Sequence, residues 1–187
     1  MRFFNRHLVT LALGLAGLGL HASDYRALLD VARTTWAKKL HIGVVCKYNE
    51  QAGRIESLRK IAGEETVITV VDVHAEREWL AASHILARRR PDFLLLMPSG
   101  GFYGEGGFWS TVLVRALARL GVPSVGTSPR AIEQGAVFAV GEHTGYHLLV
   151  SERPIGNISV ILPKQGQAFR QDQSSGAATL NLISAER

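Results

Sequence analysis

The stretch VPSVGTSPRAIEQGAVFAVG, residues 122–141, decides how the rest of the chain is read. A short apolar strand stops at Thr127-Ser128-Pro129. One or two helical turns follow, and a second apolar strand begins at once. Strand, helix and strand in so few residues make a compact unit of a parallel sheet. The two hydroxyls are the unusual part, because a folded core does not need them at the end of a buried strand. Ser128 suits the cap of a helix that starts at Pro129. A crevice for a small ligand would use both hydroxyls.

The same alternation extends toward the N-terminus. HIGVVC (residues 41–46) is rich in β-branched residues, and NEQAGRIESLRKIAG follows it with Ile55, Leu58, Ile61 and Ala62 at helical spacing and Gly63 as a stop. TVITVVDV (66–73) is a second strand, and AEREWLAASHILARRR (75–90) a helix presenting Trp79, Ala82, Ile85 and Leu86. FLLLMP (93–98) is a third strand. FWSTVLVRALARLG (108–121) gives a helix with Val112, Leu113, Ala116, Leu117 and Leu120 facing inward. Apolar strands separated by helices imply right-handed βαβ units. The expected fold is α/β: a doubly wound, mainly parallel five-stranded sheet with helices on both faces. It forms a single lobe with an irregular C-terminal tail. SDYRALLDVARTTWAKKL (23–40) reads as a leading helix. In the tail, NISVILP (157–163) reads as one more strand, residues 164–177 as a polar loop, and ATLNLISAER (178–187) as a strand or a helix.

The chain has 187 residues, enough for one domain. Its first 22 residues carry Arg2 and Arg6, the apolar run LVTLALGLAGLGL and the exit HAS. That is the pattern of a cleaved secretory signal, which places the mature lobe at 23–187 in the periplasm. The apolar run is shorter than the roughly 20 residues needed to span a bilayer. Without the signal, 19 of the 21 basic residues remain against 16 acidic ones, a net charge of +3. Arg88-Arg89-Arg90 complements the dipole at a helix end. With no basic stripe interleaved with aromatics, nucleic acid is not expected as a partner. The single cysteine, Cys46, lies within a strand and reads as a small core residue.

In an open parallel sheet, ligands bind beyond the carboxyl ends of the strands. The residues there are Lys47, Tyr48 and Asn49 after the first strand, and Asp72 and His74 after the second. Ser99, Gly100 and Gly101 follow the third, Thr127 and Ser128 the fourth, and Glu142 and His143 the fifth. The expected ligand-binding set is Tyr48, Asn49, Ser99, Gly100, Gly101, Thr127 and Ser128. The loop SGGFYGEGGFW (99–109) is not a P-loop, since no Lys-Ser or Lys-Thr follows, and its glycines do not fit G-x-G-x-x-G. Its aromatics Phe102, Tyr103, Phe108 and Trp109 suit a lid, a packed loop or a partner contact, with Trp109 the expected core residue. His143 and His147 have metal-pair spacing, but Gly145 interrupts the helix such a pair needs, and no metal or other cofactor is expected. G-x-S-x-G is absent, and no paired carboxylates or activated nucleophile stand out, so no enzymatic activity is expected.

Taken together, KKLHIGVVCKYNEQ, PDFLLLMPSG, GVPSVGTSPRAIEQGAVFAVGEHTGYHLLV and ATLNLISAER resemble the substrate-binding proteins of bacterial ABC transporters with the periplasmic-binding-protein type I fold. The resemblance implies a small organic solute as ligand and a membrane permease as partner. Members of that family have two lobes, whereas this chain supplies one, so a homodimer or a second lobe would complete a cleft. VGTSPRAIEQGAVFAV and LNLISA also resemble exported regulators of membrane diguanylate cyclases, which implies a membrane signalling partner instead. In the substrate-binding family the segment GYHLLVSERPIGN corresponds to a helix.

Overall fold

The computed structural model describes residues 25–36, 39–98, 101–142, 146–151 and 176–185. The secretory signal expected at 1–22 and the strand expected at 157–163 lie outside them. Residues 25–35 form helix α1. After it come β1 (His41–Cys46), α2 (Tyr48–Ala62), β2 (Val67–Asp72), α3 (Trp79–Arg89), β3 (Phe93–Leu95) and α4 (Phe108–Arg119). The chain continues through β4 (Ser124–Gly126), α5 (Pro129–Gln134), β5 (Phe138–Glu142), β6 (Tyr146–Val150) and β7 (Thr179–Ser184).

The described strands form one sheet in the order β6-β5-β4-β3-β1-β2-β7. Six of them run parallel, and β6 lies antiparallel on β5, pairing Phe138 with Val150 and Glu142 with Tyr146. The expected α/β single lobe is therefore present, with β6 and β7 added to the five expected strands. Where a helix was implied after the fifth strand, the described residues Tyr146–Val150 form β6 instead. Only three residues separate β5 from β6. That is too short for a crossover, so the chain returns antiparallel.

The connections explain the layers. From β1 the chain moves outward to β2, then crosses back to β3 and continues to β4 and β5. Right-handed crossovers therefore put α2 on one face and α3, α4 and α5 on the other. The side chains obey this. Ile42, Val44 and Cys46 of β1 share a core with Leu28 and Leu29 of α1 and Ile55 and Leu58 of α2. Val45, between them in sequence, joins the opposite core with Leu86, Leu113, Leu117 and Ala131. Phe93 and Leu95 face the first core and Leu94 the second, the period-two signature of a strand buried on both sides. Just past α1, Trp36 stacks on Phe93 at 5.0 Å and on Phe138 at 5.8 Å, covering the sheet toward β5.

Two inward assignments are corrected. In α4 the buried residues are Ser110, Leu113, Val114 and Leu117, while Leu120 is 56% exposed. The helix ends at Arg119, so Leu120 leaves the helical stripe before it reaches the core. In the loop that follows β3, Tyr103 is the fully buried aromatic and Trp109 only packs against the core. No helix among the described residues is long and apolar enough to cross a membrane.

Candidate functional site

Strand order reverses between β1 and β3, because connections leave β1 toward β2 and return past it to β3. In such sheets the carboxyl ends of the strands beside that reversal open a crevice. An open pocket of about 100 Å³ lies there. Lys47 and Glu50 border it from the β1–α2 junction, Val73, His74 and Ala75 from the end of β2, and Gly101, Phe102 and Tyr103 from the loop after β3.

Each wall is fixed locally. Asp72 ends β2 and accepts the Tyr48 amide at 2.8 Å, which pins the start of α2 to the neighbouring strand. Its other oxygen lies 3.5 Å from His74 Nε2. The His74 amide donates to Glu78 at 2.7 Å, turning the chain away after β2. Lys47 Nζ is 3.3 Å from Glu50 and 5.9 Å from the centre of the Phe102 ring. The Tyr103 hydroxyl donates to the Glu76 carbonyl at 2.6 Å, with the Ala75 carbonyl at 3.2 Å. Burial, followed by the nearby Glu78 charge, pushes that hydroxyl up to about 12, so it remains a neutral donor. The rim thus offers one cation, one carboxylate, an imidazole and an aromatic face.

The expected ligand set divides. Gly101 lines the pocket and takes φ +62, a backbone conformation that suits glycine. Tyr48 and Asn49 open α2 beside it, but the Tyr48 side chain packs against the α1–α2 core and Asn49 is exposed. Ser99 and Gly100 lie outside the described residues. Thr127 and Ser128 stand at the end of β4, and Thr127 is already occupied. Glu105 Oε1 accepts both the Thr127 amide and the Thr127 hydroxyl, the latter at 3.0 Å. Ser128 sits at the cap position of α5, yet its hydroxyl makes no cap hydrogen bond and is buried without a partner.

Sequence reasoning missed Lys47, Glu50, Phe102 and Tyr103 as one group, and missed Glu105 altogether. The signal for Glu105 was present: it is the lone carboxylate in a loop of glycines and aromatics. Two glycines complete the arrangement. A Cβ on Gly126 would lie 2.7 Å from Glu105 Oε1, and one on Gly107 would strike the Phe102 carbonyl. Gln134 then ties the loop down, accepting the Gly106 amide at 3.0 Å and donating to the Gly107 carbonyl at 2.9 Å and to Ser110 Oγ.

Among the described residues no group of three or more His, Cys, Asp or Glu side chains is placed to hold a metal ion. The side chains of 143–147 are outside them. Cys46 is fully buried, and burial, followed by the charges of Asp72 and Glu50, pushes its thiol up to about 12. It is therefore a protonated core residue at neutral pH and no nucleophile. No protein-family model and no curated protein matches the chain.

Proposed function

We propose that the protein is an exported, non-catalytic recognition lobe, akin to one half of an ABC-transporter substrate-binding protein. It binds a small organic solute at the carboxyl edge of its sheet. The observation that carries this reading is the pocket where β1, β2 and the loop after β3 meet, beside the reversal of strand order. Lys47 suits a carboxylate, Glu50 an amino group, and the rings of Phe102 and Tyr103 an apolar portion. Amino acids and small organic acids are accordingly the first solutes to test. At about 100 Å³ the pocket falls well short of the roughly 300 Å³ that encloses a typical small molecule. One lobe therefore supplies one wall, and a second copy or a separate lobe supplies the other.

The test is a thermal-shift panel of amino acids, organic acids, sugars and purines on the full chain. A solute at about 100 times its Kd adds about 2.7 kcal/mol, an upward shift of several degrees. The shift should disappear in Lys47→Ala. A flat panel would contradict the reading.

A specific observation favours a second reading, a protein partner at a membrane. Phe102 is 45% and Phe108 72% exposed on the same loop and the adjoining turn of α4. Phe108 meets Trp109 edge-on at 5.2 Å, and Trp109 stacks on Trp79 at 6.3 Å, which builds a local aromatic surface. Under this reading Phe108→Ser abolishes capture of a membrane signalling protein and leaves solute shifts unchanged.

A further inference from the structure

We propose that Glu105 is an internal stand-in for a carboxylate ligand: it latches the loop 101–107 over the end of β4, and a small free carboxylate competes for the same donors. One carboxylate oxygen takes two hydrogen bonds from Thr127, from the amide and from Oγ1. Thr127 is only 7% exposed with Glu105 in place, so the carboxylate both satisfies and covers these two donors. The approach depends on a bare backbone, because a Cβ on Gly126 would sit 2.7 Å from Glu105 Oε1 and against Ala131. The next residue in the chain, Ser128, has a buried hydroxyl without a hydrogen-bond partner.

The segment bearing Glu105 is built to be held by polar contacts. Its ends carry Gly101 and Gly106 at φ +62 and +83. The Glu105 amide donates to the Met97 carbonyl at 3.0 Å, and Gln134 bonds the following turn. Tyr103 is its one buried aromatic, while Phe102 is nearly half exposed. The same loop contributes Gly101, Phe102 and Tyr103 to the pocket at the ends of β1 and β2. Freeing Glu105 from Thr127 therefore loosens a wall of that pocket, and the latch couples the two ends of the edge.

The test is chemical rescue in the full chain. Glu105→Ala should melt at a lower temperature, and formate or acetate should restore most of the loss, while chloride at equal ionic strength does not. The double variant Glu105→Ala/Thr127→Val should show no rescue. Equal effects of formate and chloride on Glu105→Ala would overturn the proposal. If Glu105→Ala does not fold, the Thr127 amide resonance of the unaltered chain gives the answer. It moves on titration with formate if the latch exchanges, and stays fixed if Glu105 is only structural. The readout concerns Thr127 and uses simple anions, so its failure leaves solute binding at the Lys47 pocket standing, and the reverse also holds.

Discussion

Gly126 and His41 show what single positions decide. Gly126 ends β4 where the backbone passes against Ala131 and the Glu105 carboxylate, leaving no room for a methyl group. Gly126→Ala should therefore destabilise the fold by about 1–3 kcal/mol, the usual range for overpacking. A urea midpoint equal to that of the unaltered chain would contradict the close approach. His41 opens β1, with Nε2 at 2.8 Å from Thr69 Oγ1 and its amide donating to Asp92 at 2.7 Å. Burial lowers its pKa from 6.5, outweighing the Asp92 charge, which acts the other way. The unfolded chain thus binds more protons than the folded one between the lowered value and 6.5. Stability should fall as pH drops below about 6.5 and rise to a plateau above it, by linkage. Urea unfolding between about pH 5 and 7.5 should show a shallower pH slope for His41→Gln, and identical slopes would refute this account.

At the scale of elements, strands and helices were legible wherever a local pattern carried the structure. The first three strands and α2 to α4 follow from apolar runs and helical spacing, and Gly63 ends α2 at φ +74 as a stop should. The misses are nonlocal. YHLLV became a strand because a three-residue connection forces antiparallel return onto β5, a geometric consequence rather than a propensity. TLNLIS carries no pattern that separates strand from helix, and its state is set by pairing with β2 from Val67↔Thr179 to Asp72↔Ser184. Arg59 of α2 anchors its approach. Nε donates to the Ala178 carbonyl at 2.9 Å, the Ala178 amide returns to the Arg59 carbonyl at 3.0 Å, and the guanidinium meets Glu56 at 2.8 Å. Arg59→Ala removes the side-chain part only and should cost about 1–2 kcal/mol. Hydrogen exchange should then quicken in β7 before it does in β1, and uniform loss across the sheet would show that Arg59 is no anchor.

At the scale of the whole molecule, the sequence marked the strand-end edge that carries the candidate site but not how loops and strand ends divide it. The residues beyond each strand could be written down, and Gly101 does line the pocket. What no local pattern contains is which loop folds over which strand end. Glu105, remote from Thr127 in sequence, closes the β4 end, while Lys47, Phe102 and Tyr103 meet only through the order of the sheet. The edge is therefore half closed by the protein's own carboxylate and half open beside the strand reversal. Its central claim, solute recognition at the open half, is tested most directly by amide chemical-shift mapping. Pools of amino acids and small organic acids would be added to the isotopically labelled full chain. The account predicts shifts concentrated at Lys47, His74 and Gly101. Spectra unchanged by every pool, or shifts confined to α3 and α4, would contradict it.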